Sequence, residues 1–434
     1  MIDYEYPSEP VGTDAFEQAL DRYTHSRTSS DNTAVLMQNG DEAYPAMLEL
    51  IRTAKHRISF ETYIIEDDET TNTFFAALED AAARGVEVRT LVDAAGFKRG
   101  TIAQLNELSN RGIQARIFNP LLFSWTIFRF NNRDHRKILV VDGAHAVLGG
   151  INVSDEQTGD GTTGWRDTSI LVSGPAALNA ESVFAETWEQ GGRGFVGKNL
   201  PIASLNPIKH VLEAPLMDFK QHFLNQPLFV PTPCGDPAPI PEAVAKSDRL
   251  HPDVTARIVA SAPDKASSST YDLSLLGIHG ARERIDVACA YFVPHRALKL
   301  ALVEAAARGV RIRLLLPGVT DIAGVREIGM KSYGGLLEAG VEIYEWPHEI
   351  LHAKTMAVDG KWLVVGSANM DGRSYFLNYE ANVVVSDSRL ADDAHNQFEI
   401  DLDHAARLTL EEWKNRPAKQ QALEVLLTPA AGQF

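Results

Sequence analysis

His135 and Lys137 stand two residues apart in the run DHRKILVVDG, and Asn152 follows at the end of LGGIN. In an extended strand alternate side chains share one face, so this imidazole and ammonium leave the sheet together. Asp142-Gly143 is a hairpin-turn signal, and Ala144 to Gly150 reads as the returning strand. If Val141 faces Ala144, His135 faces Gly150 and Asn152 returns beside Arg133. The combination suits phosphate chemistry: a neutral imidazole can attack phosphorus, and lysine and asparagine can hold the non-bridging oxygens. A protonated imidazole can release the departing alkoxide. No metal or other cofactor is needed.

A single His-x-Lys in a strand is usually structural. Here the set occurs twice, because LHAKTMAVDGKWLVVGSAN repeats DHRKILVVDGAHAVLGGIN with an offset of 217 at four polar positions. The second set is His352, Lys354, Asp359 and Asn369, with Val358 expected to face Lys361 and His352 to face Ser367. Two histidines allow one nucleophile and one proton carrier. Gly149, Gly150, Gly366 and Ser367 are small, which predicts room for a substrate to approach the backbone. Asp142 and Asp359 sit at the turns and are expected to brace the hairpins. A carboxylate behind each imidazole would fix its tautomer, and Asp167 in GWRDTSI and Glu380 in LNYEANV are the candidates.

The elements that position these residues are also duplicated. AAARGVEVRTL (81–91) recurs as AAARGVRIRLL (305–315), and RISFETYII (57–65) is echoed by RIDVACAYFV (284–293). In the first copy Tyr44, Met47, Leu48, Ile51 and Ala54 keep a helical period, and residues 57–65 read as a strand. A helix around 70–84, a strand at 86–93, a helix at 101–110 and a strand at 113–118 follow. Such alternation predicts an α/β fold: two similar lobes, each a mixed β-sheet flanked by helices, with one active site at their interface. Six prolines between 227 and 241 mark a connector. The expected division is an N-terminal extension 1–30, a first lobe 31–200, a connector 201–250, and a second lobe 251–434 with a C-terminal tail.

Across 434 residues the net charge is −17, which argues against a broad nucleic-acid surface but permits a local pocket for an anion. Cys234 and Cys289 have no metal-ligand spacing. There is no signal-peptide pattern and no run of 18 apolar residues, so the expectation is a cytoplasmic protein, soluble or bound peripherally to the membrane.

Together these residues resemble the phospholipase D superfamily signature, H-x-K-x4-D followed by G-[GS]-x-N, intact in both copies. From about residue 32 to residue 430 the likeness extends to the bacterial cardiolipin synthase branch, through ETYII, GWRDTSILVSGPA, AYFVPH, LLEAGVEIYEW and GSANMDGRSYFLNYEANV. That resemblance implies a two-step transesterification with His135 as nucleophile and His352 as acid, then base. It also implies crossed support, with Asp167 orienting His352 and Glu380 orienting His135. Phosphatidylglycerol would be both donor and acceptor, giving cardiolipin and glycerol. The familiar members begin with membrane-spanning helices, which this sequence lacks, so it is more like the shorter, peripheral members. A lipid-hydrolysing phospholipase D or another phosphatidyltransferase is the nearest alternative, followed by a nuclease of the same superfamily, and a non-catalytic membrane-binding protein is a distant one.

An acidic protein must meet an anionic bilayer locally. The first copy carries about eleven extra residues before its motif, within LLFSWTIFRFNNRDHRK. Phe123, Trp125, Phe128, Arg129 and Arg133 are expected to form a rim that dips into the lipid interface on the inner face of the cell membrane. Further apolar candidates are Phe223 to Val230 and the tail with Trp413, Leu423, Leu426 and Leu427.

Overall fold

The computed structural model describes residues 6–96, 101–119, 131–191, 235–263, 268–322 and 324–427. Among them, sixteen strands join in one mixed sheet. From the centre outward the first half contributes Ser29–Gln38, Thr168–Ser173, His145–Gly149, Ile138–Val141, Arg57–Thr62, Glu87–Asp93 and Gln114–Phe118. The second half repeats this order with His251–Ser261, Asn378–Val385, Trp362–Gly366, Lys354–Val358, Arg284–Cys289, Arg311–Pro317 and Glu342–Trp346. It adds Ala406–Leu408 at its edge. Outer strands pair in parallel apart from the antiparallel edge strand Ala406–Leu408, hairpin strands pair antiparallel, and the halves meet where Ser29–Gln38 runs antiparallel to His251–Ser261. Two mixed α/β lobes thus share one sheet.

Alternation along the strands sorts side chains into layers. Leu139 and Val141 join Met47, Leu50, Ile51 and Phe74 in the outer core of the first half. Ile138 and Val140 point the other way, into a layer shared with Ile258, Leu363, Val365 and Val383 of the second half. Helix Pro175–Gly191 adds Ala176, Ala177 and Ala180 to that layer, and helix Ser388–Asp403 adds Leu390. Burying both halves in one layer couples their stability. Helix starts follow the usual capping chemistry: Asp68 accepts from the Thr71 N–H, and Asp387 from those of Arg389 and Leu390.

Segments outside the repeats also dock on the lobes. Helix Asp14–Thr24 buries Phe16 and Leu20 in the second-half core, where the Phe16 ring meets Trp362 edge-on at 5.6 Å. At the end of the proline cluster and just beyond it, Ala238 and Val244 pack into the first-half core. Trp413 is buried against Tyr333 and Arg416, which removes it as a lipid-facing residue, whereas Leu426 is exposed.

Hairpin register differs from expectation by one residue. Val141 faces His145, and Val358 faces Trp362. Asp142 and Gly143 both lie in the left-handed region, at φ 55° and 65°, and close the turn through Ala144 N–H to Val141 O at 3.0 Å. The Ala144 carbonyl then turns to the Gly174 N–H of the neighbouring strand, so Ala144 drops out of the ladder as a bulge. Asp359 and Gly360 repeat the turn at φ 53° and 62°. Continued on this register, His135 aligns with Ile151 and His352 with Ala368.

Candidate active site

The two motif strands begin by crossing between lobes. Arg133–Asp134 pairs in parallel with Asn378 and Tyr379 of the second half, and the His135 N–H donates to Tyr379 O at 3.0 Å. In return, Arg166 bridges in parallel to Leu351, and the Arg166 carbonyl accepts from the N–H groups of His352 (2.7 Å) and Ala353 (3.1 Å). Each histidine is thereby stitched to the segment of the other lobe that carries a carboxylate. Glu380 accepts from His135 Nδ1, with its oxygens at 3.0 and 3.1 Å, and Asp167 Oδ2 lies 2.7 Å from His352 Nδ1. With Nδ1–H donating to a carboxylate, Nε2 of both rings carries the lone pair.

Burial governs the charges. It pushes the His135 imidazole down to about 4 despite Glu380, with Lys137 and Lys354 acting in the same direction. His352 is lowered well below the ordinary histidine value by burial, then by Lys354, Lys137 and, further down, His135. Both rings and both ammonium groups therefore act on one another in one place. Burial also drops Lys137 to about 7 and lowers Lys354. Asp167 is raised to about 6 by burial, against the pull of Lys354. Burial opposes the charge of Glu380, but His135, Lys137 and Ser367 hold it below the usual glutamate value.

The lysines fold back, Lys137 Nζ donating to the His135 carbonyl at 2.6 Å and Lys354 Nζ to that of His352. Asn152 Oδ1 accepts from Ile64 N–H at 3.0 Å, while its buried Nδ2 has no partner among the described residues. Asn369 Oδ1 accepts from Tyr291 N–H at 3.2 Å. Aromatic rings wall the imidazoles: Tyr63 beside His135 at 5.2 Å, Trp165 and Tyr291 beside His352 at 5.1 and 6.5 Å.

Several expectations change. A Cβ on Gly150 would lie 2.2 Å from Asp167 Oδ1, and one on Gly366 2.1 Å from Asn382 Oδ1. These glycines make room for side chains behind the histidines, and not for substrate. Ser367, at the position matching Gly150, donates to Glu380 Oε2. Asp142 accepts from the N–H groups of Lys55, His56 and Arg57, and Asp359 from those of Arg282, Glu283 and Arg284. Arg133 is not on a lipid-facing rim: it is 6% exposed and turned inward to Asp93 Oδ1 and Asn119 O. Phe123, Trp125, Phe128, Arg129 and the stretch Phe223 to Val230 lie outside the described residues.

Two arginines hold places that the sequence did not reveal, and Arg136, expected with the basic residues of the rim segment, is buried instead. Arg136, fully buried, donates to the carbonyls of Glu380, Val183 and Ser261 and to Thr187. Arg166 donates to Asp167 O and forms a bidentate pair with Asp401 at 2.8–3.1 Å. Each guanidinium ties a supporting carboxylate's backbone to the long helix behind it. Strand alternation was the available signal, since the residue between His135 and Lys137 must point into the core. Asn39 is a further missed support, accepting from Asp167 N–H at 3.0 Å.

Residues 47–188 and 276–402 match the family model described as cardiolipin synthase, PLD-like domain. The chain is 31% identical over 402 residues to the cardiolipin synthase of Geobacillus thermodenitrificans, spanning 92% of this chain and 72% of that protein. It is 30% identical over 409 residues to cardiolipin synthase 1 of Bacillus anthracis, spanning 94% and 74%. Among solved structures, phosphatidylserine synthase of Haemophilus influenzae has the same fold, with a TM-score of 0.66 at 12% identity over 97% of this chain and 98% of that one.

Proposed function

This chain belongs to the phospholipase D-like family of cardiolipin synthases and is a phosphatidyltransferase of that type, and we propose that it joins two phosphatidylglycerol molecules into cardiolipin and glycerol. The observation that carries this reading is the crossed pairing of His135 with Glu380 and of His352 with Asp167. Two imidazoles with Nδ1 anchored, one neutral to attack phosphorus and one that takes up a proton when the substrate binds, are what an in-line displacement and its reversal require.

In the first step Nε2 of the buried, neutral His135 attacks phosphorus. The bond from phosphorus to the glycerol oxygen breaks, and that oxygen takes from Nε2 of His352 the proton which this ring acquired from solvent as the substrate bound, releasing glycerol and leaving His352 neutral. In the second step the primary hydroxyl of another phosphatidylglycerol gives its proton back to His352 Nε2. Its oxygen attacks phosphorus, the phosphorus–nitrogen bond breaks, and His135 is restored. A bound phosphodiester sets a negative charge between Lys137 and Lys354, which draws them from their carbonyls and raises the proton affinity of His352. The unpaired Nδ2 of Asn152 supplies a further donor to the non-bridging oxygens.

Among the described residues no helix is long and apolar enough to cross a membrane. With bilayer lipids as substrates, the protein works at a membrane surface. The test is mass spectrometry of products formed from phosphatidylglycerol vesicles. Cardiolipin with an equimolar yield of glycerol is expected, and phosphatidic acid as the sole product would defeat the reading.

A further inference from the structure

One carboxylate at this site has the wrong sign for a phosphodiester. Asp321 is exposed, in the loop after strand Arg311–Pro317, and its Oδ1 accepts the Tyr291 hydroxyl at 2.6 Å. The Tyr291 ring stands edge-on to His352 at 6.5 Å, and its main-chain N–H donates to Asn369 Oδ1. Asp321 is thus tied through one phenol to the wall beside the histidine that handles the alcohol proton. Its charge reaches His352 and Lys354 of one lobe and Tyr63 of the other. Among the described residues its second oxygen has no hydrogen-bond partner.

A carboxylate here repels the phosphate but is a strong acceptor for neutral hydroxyl groups. The glycerol head group leaves next to His352, and by microscopic reversibility the incoming alcohol occupies the same place. We propose that Asp321 and Tyr291 form a subsite for the free hydroxyls of the glycerol head group, selecting a polyol over a simple alcohol or water. This rests on the transfer reaction proposed above and names what that reaction accepts.

The experiment supplies phosphatidylglycerol vesicles with radiolabelled glycerol and ethanol together. Labelled phosphatidylglycerol and phosphatidylethanol then arise from one phosphatidyl-enzyme, so their ratio reads acceptor choice and is insensitive to the amount of folded protein. Asp321→Asn should lower the glycerol-to-ethanol ratio by roughly tenfold, as expected for losing a charged hydrogen-bond acceptor. Tyr291→Phe should lower it less. An unchanged ratio in Asp321→Asn, or no label entering phosphatidylglycerol with the unmodified protein, overturns the proposal. Unmodified protein that makes no cardiolipin would sink the reading above, while the glycerol-to-ethanol ratio still decides this one.

Discussion

Behind the two catalytic strands the lobes share a backbone and differ in what fills it. In the first lobe Glu61, Asp134 and Arg136 are buried together. The matching positions of the second lobe are Ala288, Leu351 and Ala353, packed dry with Leu315, Trp346 and Phe398. Burial raises both carboxyls, Asp134 well above the ordinary aspartate range, where the neighbouring Glu61 pushes it further up. Both Glu61 oxygens and Asp134 Oδ2 are buried with no hydrogen-bond partner among the described residues, so the Arg136 guanidinium is the charge that offsets them. The difference teaches that the polar register facing substrate and the material behind it obey separate constraints. Chemistry holds the first in both copies. The second need only hold the strand, and either a charge-compensated polar cluster or an apolar one does so.

The largest effect should come from the histidines themselves, and it should not be symmetric. His135→Ala and His352→Ala are each expected to cut cardiolipin formation by roughly 10³-fold or more. Only His352→Ala should still accumulate a phosphorylated protein from a substrate whose leaving group needs no proton, such as a nitrophenyl phosphodiester. Phosphoprotein in His135→Ala would break the assignment of roles.

Next comes the cluster behind them. Arg136→Ala alone strips donors from three carbonyls and leaves Glu61 and Asp134 without their cation, and should cost about 3–5 kcal/mol. Installing the second lobe's set through Glu61→Ala, Asp134→Leu and Arg136→Ala together should recover most of that loss, because no charge is then left buried. Urea midpoints of the two variants decide it, and a triple variant less stable than Arg136→Ala would show that the lobes do not tolerate exchanged fillings.

Smaller again are the supporting carboxylates, at roughly 10²-fold in kcat for Asp167→Asn or Glu380→Gln. They differ in pH dependence. Asp167 is raised to about 6, so its carboxylate is lost as pH falls through that value, whereas Glu380 is held below the ordinary range and stays charged. Lys137 sits at about 7 in the free protein and loses its charge as pH rises through it. The profile of kcat/KM should therefore be bell-shaped, and Asp167→Asn should flatten its acid limb while Glu380→Gln leaves that limb in place. An acid limb that persists in Asp167→Asn would assign it elsewhere.

Much of this was legible before any coordinates. The units at 57–65, 86–93 and 113–118 alternate with amphipathic helices, and the structure places strands at Arg57–Thr62, Glu87–Asp93 and Gln114–Phe118. The central strands Ser29–Gln38 and His251–Ser261 escaped, because a strand covered on both faces shows a short apolar run without alternation. Asp167 and Glu380 could be nominated, but the lobe each serves depends on strand pairings 185 and 245 residues apart, which no local pattern encodes. The partners of Arg136 were hidden for the same reason, since Val183, Ser261 and Glu380 are scattered along the chain, although strand alternation alone turns its side chain inward.

The smallest effect separates the two turn aspartates. Asp142 and Asp359 have nearly the same φ and each collects three N–H groups from the strand entrance beside it. Asp142 takes a fourth, from Ala238 at 3.2 Å, so it also pins the end of the proline cluster. Asparagine tolerates the left-handed backbone, so exchange to it isolates the lost acceptor from any turn strain. Asp142→Asn should cost about 2 kcal/mol and Asp359→Asn about 1 kcal/mol. The first should also speed proteolysis around residues 235–245, because Ala238 and Val244 reach the first-half core through that anchor. Equal costs with unchanged proteolysis would mean that the apolar contacts of Ala238 and Val244 hold the segment by themselves.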